Sequence, residues 1–234
     1  MIKKSYFLVI GVLLVFCIYA IVSCRNYVTD KSLVKVYSDS VFIKGEQIIP
    51  GKIECEYYNL GGEGIAYHDT DSVNSGSGAL NKGKDYLSTF RTQEAVDISY
   101  TKFYNNGDSS EFNLVQPKKD QLYIGWTEPG EWMKYTVKVK TSGIYVIGIM
   151  YTANGNGQIS LDAANGNTTG PMDILTTNNP NDPFDWRQWH HWNYLDSIGK
   201  IELQKGIQTL TLRTGVNGNM NYDFLSFTLL DNQQ

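Results

Sequence analysis

Residues 131–151 of the chain read EWMKYTVKVKTSGIYVIGIMY and form the most informative part of the sequence. Apolar and polar residues alternate in both halves of this stretch, and a Thr-Ser-Gly turn at 141–143 separates the halves. The apolar positions are Met133, Tyr135, Val137 and Val139, followed by Tyr145, Ile147, Ile149 and Tyr151. Alternation of period two is typical of strands that bury one face. The stretch therefore predicts two β-strands joined by a tight turn.

Similar short runs continue through the chain after residue 48, and Gly, Asn and Asp residues separate them. Strands are predicted within 52–58, 158–162, 200–203, 207–213 and 223–230, and further turns at 154–157, 205–206 and 217–219. Short antiparallel strands without a long stripe of helical period predict an all-β fold, a β-sandwich of the jelly-roll type. Long loops, which often carry function, are predicted at 59–90, 101–120 and 163–188.

The composition excludes several classes of protein. Charged residues make up 19% of the chain and hydrophobic residues 41%, with a net charge of −4. These values indicate a folded chain without the basic surplus that neutralises phosphates, so no nucleic-acid partner is expected. The length of 234 residues allows one large domain or two small ones. All five Trp lie between residues 126 and 192.

The N-terminal residues carry the pattern of an export signal. Lys3 and Lys4 precede an apolar run, and Ser23-Cys24 follows it. A small residue directly before a Cys, behind an apolar run, resembles a bacterial lipobox. We predict a signal peptide over 1–23, an acylated Cys24 and tether over 24–48, a sandwich domain over 49–231 and a tail over 232–234. The exported protein would then be held at a membrane by lipid; the alternative is an uncleaved anchor, because about 17 apolar residues can just span a bilayer.

Cysteine usage excludes an intramolecular disulfide in the exported form. Of the three Cys, Cys17 leaves with the leader and Cys24 carries lipid, so only Cys55 remains. An exported domain without a disulfide needs a large core, a bound metal or both. Cys55 shares the apolar phase of its strand, which favours a buried core residue over a nucleophile.

Eight short segments, spread over most of the predicted domain, carry a second signal. They are IPGKIECEYY (49–58), GGEGIAYHD (61–69), FRT with VDI (90–98), IGWTEPGEWMKYTV (124–137), SGIYV (142–146), WRQW (186–189), KGIQTLTL (205–212) and NYDFLSF (221–227). Together and in this order, they resemble a family 6 carbohydrate-binding module.

This resemblance implies a β-sandwich that binds a polysaccharide or oligosaccharide without catalysis, commonly with a structural calcium ion. It also implies a glycoside hydrolase as a partner on the same glycan. The sequence departs from the family pattern at Cys55, where Ala is usual, and at Ser99, where an acid often follows Val-Asp-Ile. It also has extra residues within 101–120 and 163–185, so the sugar preference does not follow from the resemblance.

Exposed aromatic residues suggest how a sugar would bind. A sugar ring has an apolar face and a rim of hydroxyls, so its recognition needs a flat aromatic surface and directional polar groups. Trp126 and Trp186 stand in turn-rich, polar segments. The resemblance implies that they sandwich one sugar ring and that Asn221 hydrogen-bonds its hydroxyls. The alternative is that each of these two Trp packs an insertion against the core. Core or sheet-face packing is predicted for Trp132, Trp189 and Trp192.

Three carboxylates predict a metal site. Glu54 and Glu56 are two residues apart on a predicted strand and so share a face, and Asp223 has the core-facing phase of Leu225 and Phe227. Three converging acids repel one another unless a hard cation such as Ca²⁺ binds their oxygens. The resemblance implies a structural calcium at the same place. The alternative is ordinary surface acids on an edge strand.

Acids elsewhere leave other functions open. Glu63, Tyr67, Asp69 and Arg91 would form either a second site at the sandwich edge or, as we favour, a loop anchor through an Arg–carboxylate pair. A glycoside hydrolase or lyase on this fold would need paired acids in the aromatic cleft, and acids adjacent on one strand cannot flank a scissile bond. A structural or adhesion lipoprotein is the remaining alternative, because fold alone does not decide function.

Overall fold

The computed structural model describes residues 34–42 and 45–230. Twelve strands in two sheets make this part of the chain an all-β sandwich, which confirms the predicted fold class. The strands are β1 (Gln47–Ile49), β2 (Gly51–Glu54), β3 (Tyr67–His68), β4 (Ile98–Tyr100), β5 (Leu122–Ile124), β6 (Trp132–Val139), β7 (Gly143–Ala153), β8 (Gly157–Ala163), β9 (Met172–Ile174), β10 (Asn193–Leu203), β11 (Gly206–Thr214) and β12 (Met220–Leu229). One short helix, α1 (Tyr86–Thr89), and 3-10 turns at Cys55–Tyr57, Tyr104–Asn106 and Asp185–Trp189 complete the elements described.

The two sheets contain six strands each. The first has the order β1-β6-β11-β8-β9, with β3 beside β6, and only β1 and β6 run parallel. The second has the order β10-β7-β12-β5-β4, with β2 beside β12, and its pairs are antiparallel. The apolar residues predicted in 131–151 are all buried in the core between the sheets.

The four predicted tight turns have a common role in this architecture. Each connects strands of different sheets: 141–143 lies between β6 and β7, 154–157 between β7 and β8, 205–206 between β10 and β11, and 217–219 between β11 and β12. The turns 154–157 and 217–219 meet, because the side-chain amide of Asn217 donates to the carbonyl of Asn156 at 2.6 Å. They therefore lie at the same end of the sandwich.

The second half of β7 is buried on both faces. Met150 packs on its outer side in a cluster with Tyr123, Trp192 and Phe224. Thr152 donates to the carbonyl of Trp189 at 2.8 Å. The segment after the third 3-10 turn therefore lies directly on this sheet, which fixes the base of the loop that carries Trp186.

Two segments differ from the sequence prediction. The strand predicted over 52–58 ends at Glu54, and the chain turns into a 3-10 helix at Cys55–Tyr57, although Cys55 is buried as expected. The packed unit also begins before residue 49, because β1 starts at Gln47 and the ring of Phe42 stacks on Tyr57 with centroids 4.0 Å apart. The folded region thus reaches further toward the N-terminus than the sequence indicates.

The predicted signal peptide, Cys24 and the C-terminal tail lie outside the described residues. Within 34–42 and 45–230, no helix is both long and apolar enough to cross a bilayer.

Candidate functional site

A cleft of about 990 Å³ opens at the end of the sandwich that carries the turn 217–219. The three sequence-predicted sugar-binding residues, Trp126, Trp186 and Asn221, all line it. The two indole rings are exposed, with 43% of Trp126 and 51% of Trp186 accessible to solvent. The structure therefore brings these residues together from three segments distant in sequence.

The backbone of Trp126 is held in a strained conformation. Its φ of +49° lies in the left-handed region, which costs a bulky L-residue about 1–2 kcal/mol. Hydrogen bonds on both sides maintain it: the Gly125 amide donates to the Asp97 carbonyl at 2.9 Å, and the Thr127 hydroxyl donates to the Met220 carbonyl at 3.0 Å. The surrounding structure thus fixes an exposed indole at an energetically unfavourable position, a pattern found at functional sites.

A buried ionic network holds the loop of Trp186. Arg187 donates to both carboxylate oxygens of Asp182, at 2.6 and 2.8 Å, and His191 binds the same carboxylate at 2.7 Å. The other ring nitrogen of His191 lies 3.0 Å from the Thr177 carbonyl. The hydrogen bonds from Arg187 hold the pKa of Asp182 well below its usual range. The turn that carries Trp186 is therefore anchored by charge-assisted bonds rather than by its own apolar contacts.

Asn221 links the two walls of the cleft. Its amide nitrogen donates to the Thr152 hydroxyl at 2.9 Å and to the Trp189 carbonyl at 2.6 Å. Among the described residues, its oxygen Oδ1 has no hydrogen-bond partner. A Cβ at Gly125 would lie 2.8 Å from this oxygen, so only glycine allows the Trp126 segment to approach so closely. Asn221 therefore holds a free acceptor at a fixed position between the two Trp segments.

Sequence reasoning missed two aromatic residues of the cleft. Tyr104, in the predicted loop 101–120, lines the cleft and is 81% exposed. In the sequence, the only feature that pointed to Tyr104 is that it is an aromatic residue within a long polar loop. Trp189, which is half-buried, also lines the cleft, a position that the predicted packing did not include. The prediction is correct for Trp192, which is fully buried, and Trp132 lies outside the cleft on the outer face of β6.

Acidic residues form much of the polar lining of the cleft. Asp97 and Glu131 are buried in its wall, whereas Asp71 and Glu128 are exposed. Asp69 lies behind the wall in a small cavity that Asp97 and Glu131 also line. Burial, together with the neighbouring carboxylates, raises the pKa of Asp69 and of Asp97 to about 7 and raises that of Glu131. These carboxyls are therefore destabilised in their charged form.

The three predicted metal ligands converge at a separate place. One carboxylate oxygen each of Glu54, Glu56 and Asp223 lies within 4.8 Å of the others. Glu56 and Asp223 are buried, and one oxygen each of Glu54 and Glu56 has no hydrogen-bond partner. Burial, followed by repulsion from Glu54, raises the pKa of Glu56 far above its usual range and that of Asp223 to about 8.

The predicted geometry of this cluster was wrong, although the three residues do meet. Glu54 and Glu56 do not share a face of one strand, because β2 ends at Glu54 and Glu56 lies in the 3-10 turn. The turn brings both carboxylates toward Asp223 at the irregularity between Tyr222 and Phe224 in β12. Buried, unpaired carboxylate oxygens fit a hard cation such as Ca²⁺.

The loop 61–69 is not anchored as predicted. Arg91 pairs with Glu94 at 2.7 Å and also donates to the carbonyls of Tyr58 and Asn59. Glu63 instead contacts His68 at 2.5 Å. The Arg91 pair therefore fixes the segment before this loop rather than the loop itself.

Comparison with models of known protein families finds no match for this chain, and a search of curated proteins finds none. Solved structures do match. A family 6 carbohydrate-binding module from Clostridium stercorarium, in complex with cellobiose, is 11% identical over 80% of this chain and 100% of that chain, with a TM-score of 0.48.

Two further matches have similar descriptions. A β-1,3-glucan-binding module of family 6 from Bacillus halodurans is 15% identical over 78% of this chain and 98% of that chain, with a TM-score of 0.46. A module from Cellvibrio mixtus lichenase 5A, in complex with cellotriose, is 20% identical over 48% of this chain and 80% of that chain, with a TM-score of 0.39. Similarity at this level does not assign the chain to a family or a function.

Proposed function

We propose that this protein binds carbohydrate, as a polysaccharide or oligosaccharide, in the cleft and without catalysis. The observation that carries the proposal is the pair of exposed indoles, Trp126 and Trp186, on the walls of one cleft with the free acceptor of Asn221 between their segments. Indole faces stack on the apolar faces of sugar rings, and a fixed amide oxygen accepts from a sugar hydroxyl. The strain at Trp126 supports a role in ligand contact, because packing alone does not need an exposed indole there.

The test is a calorimetric titration of the full-length protein, in detergent, with a panel of neutral, amino and acidic oligosaccharides. A shallow aromatic site should bind with a Kd of about 10 µM to 1 mM, because ordering a flexible glycan offsets much of the contact energy. Replacing either indole, in Trp126→Ala or Trp186→Ala, should weaken binding by about 1–3 kcal/mol with the fold intact.

Trp132→Ala provides the matched control. This residue lies on the outer face of β6, under the ammonium of Lys134 at 4.7 Å and outside the cleft lining. Its replacement should leave glycan affinity unchanged. Unchanged affinity in both cleft variants, with or without loss in the control, would contradict the proposed site. Accumulation of cleavage products during the titration would instead favour a glycoside hydrolase or lyase, and the absence of binding to any glycan would favour a structural or adhesion protein.

We also propose that Glu54, Glu56 and Asp223 hold a structural Ca²⁺. Two of their carboxylate oxygens are buried without a partner, and a hard cation supplies the positive charge that such oxygens need. The ion would neutralise the repulsion that raises the pKa of these carboxyls. Its role is to stabilise the junction of β2, the following turn and β12.

Lipid attachment at Cys24 is our proposal for the location of the protein, with a glycoside hydrolase as the predicted partner. Weak single sites gain from display in many copies on a membrane that faces one polymer. In a bacterial host, Cys24→Ala should shift the protein from the membrane to the soluble fraction, because acyl chains alone would hold it. Retention of the processed variant in the membrane fraction would contradict the anchor.

A further inference from the structure

The charge of the cleft suggests which glycans it selects. Five carboxylates line it, those of Asp71, Asp97, Asp108, Glu128 and Glu131, and Lys102 is the single Lys or Arg in the lining of the described cleft. The ammonium of Lys102 already donates to the Ser99 hydroxyl at 3.0 Å and the Tyr100 carbonyl at 3.2 Å. Carboxyl groups therefore outnumber Lys and Arg side chains in the lining, and the ammonium of its single Lys is already hydrogen-bonded.

One of the five carboxylates is compensated within the protein. Asp108 accepts from the indole nitrogen of Trp192 at 2.7 Å and from the Lys102 amide at 2.7 Å, and it contacts His190 at 2.9 Å. The other four have no Lys, Arg or His partner within 4.0 Å in the part of the chain that the structure describes. The uncompensated charge lies on the side of the cleft formed by Asp71, Asp97, Glu128 and Glu131.

Asp97 is the carboxylate best placed to contact a ligand. It is 94% buried, as its exposed fraction is 6%, and it borders the cleft beside the Trp126 segment. Its Oδ1 accepts from the Ser75 amide, while Oδ2 has no hydrogen-bond partner among the described residues. An acceptor without a donor in the wall of the cleft favours a ligand that brings one.

The spacing of these acids does not favour a single metal ion. Within the described residues, only Glu54, Glu56 and Asp223 place three ligand atoms within 4.8 Å of one another. The cleft acids are spread along the same wall that presents Trp126. An ammonium group fits such an arrangement, because it offers three donors, pairs with separate carboxylates and is attracted to the face of an indole.

We propose that the cleft selects glycans with free amino groups, such as glucosamine oligosaccharides, over their neutral and acidic counterparts. The ammonium would lie against Asp97 and Glu131 while a sugar ring stacks on an indole. Uronic acids would be repelled by the same carboxylates. The pKa of Asp97, which burial raises to about 7, agrees with this, because a carboxyl that holds a proton in a fraction of the free molecules near neutral pH can exchange it for a bound cation. The inference rests on the proposed function of the cleft.

The test compares four hexasaccharides with the same β-1,4 linkage on the full-length protein: those of glucosamine, N-acetylglucosamine, glucose and mannuronate. Glucosamine hexamer should bind at least tenfold more tightly than the acetylated and glucose hexamers, and mannuronate hexamer should bind most weakly. Added salt should reduce the preference because it screens the ion pairs. Asp97→Asn, which keeps an acceptor for Ser75, should remove most of the tenfold preference.

Three controls separate selective recognition from general attraction to a negative protein. Asp173→Asn removes an exposed carboxylate of β9 outside the cleft and should change nothing. Trp186→Ala should weaken binding of glucosamine hexamer by about fivefold or more. Hexalysine should bind more weakly than glucosamine hexamer. If hexalysine binds as tightly and Trp186→Ala does not change its binding, the inference is overturned.

The outcomes also distinguish this inference from the proposed function. If glucose or mannuronate hexamer binds as tightly as glucosamine hexamer, the amino-sugar preference is wrong and carbohydrate binding stands. If none of the four binds while another glycan of the wider panel does, the preference is again wrong. If no glycan binds at all, both fail.

Discussion

Two groups of carboxylates in this molecule show opposite relations to solvent. Glu54, Glu56 and Asp223 converge within 4.8 Å at the base of β12, and two of their oxygens are buried without a partner. The acids of the cleft border open space, and Glu131 accepts from the Thr70 hydroxyl at 2.9 Å and the Glu128 amide at 2.8 Å.

The two groups of carboxylates therefore differ in their surroundings rather than in residue type. In the buried cluster, the Gln121 amide donates to one oxygen of Asp223, but one oxygen each of Glu54 and Glu56 is left without a donor. In the cleft, water, the backbone and an incoming ligand can share the charge. The difference teaches that access to solvent, rather than the number of acids, decides what can stabilise a group of carboxylates.

The largest expected effect concerns the buried cluster. Removing calcium with a chelator should lower the melting temperature, because an ion that binds only the folded state stabilises it by mass action. At a thousandfold excess over its Kd, the ion contributes about 4 kcal/mol. Calorimetry in chelator and in excess calcium measures the difference. Identical melting curves would show that the cluster holds no calcium. The buried cluster and the acids of the cleft would then not differ in metal binding.

Replacing Asp223 by Asn should change the stability of the fold in opposite directions with and without calcium. The pKa of Asp223, raised to about 8, means that its contribution to the stability of the metal-free fold is fully present below about pH 4. That contribution is lost as pH rises through about 8. At pH 8, metal-free Asp223→Asn should therefore be more stable than the parent, by about 1–3 kcal/mol, because no charge is buried.

With calcium present, the same variant should be less stable than the parent. Asp173→Asn, at an exposed position of β9, is the matched control and should follow the parent in both conditions. Melting temperatures of the parent and both variants at pH 5 and pH 8, with and without calcium, test this reversal. A variant that still responds to calcium like the parent would exclude Asp223 from the site.

In the cleft, the acceptor between the two walls should matter less than the indoles. Asn221→Ala should reduce glycan affinity by about 1–2 kcal/mol, the scale of a lost hydrogen bond. Thr152→Ala removes a partner of the Asn221 amide but keeps its free oxygen, so it should cost less. Titration of both variants distinguishes contact from positioning, and an equal loss would show that Asn221 only positions the walls.

The smallest effect is expected at the cleft rim. Tyr104→Ala should weaken glycan binding by about 0.5–1 kcal/mol and leave the melting temperature unchanged, because the side chain is 81% exposed. Parallel titration and thermal melting check both statements. Unchanged affinity would limit the glycan to the walls formed by Trp126 and Trp186.

The sequence predicted the strands better than their arrangement. Alternation in 131–151 identified β6 and β7, but nothing in the turn 141–143 indicates that these strands belong to different sheets. Alternation also continued past Glu54, where the chain leaves the strand. Periodicity describes which residues are buried, whereas sheet membership depends on contacts distant in sequence.

The candidate site likewise has residues that the sequence predicted and residues that it did not. Trp126, Trp186 and Asn221 could be chosen from residue chemistry and family resemblance, and all three line the cleft. The acidic wall could not, because Asp97 and Glu131 become neighbours only in the folded chain. Tyr104 was hidden for the same reason, since its loop shows no periodicity.

The left-handed backbone at Trp126 links recognition to heat resistance. Glycine adopts this conformation without steric cost, so Trp126→Gly would relieve strain and remove an exposed apolar ring. Selection for heat resistance alone would therefore favour glycine at this position, at the loss of the proposed ligand contact. Under the proposed function, position 126 is therefore a place where the stability of the fold and the binding of a ligand oppose each other.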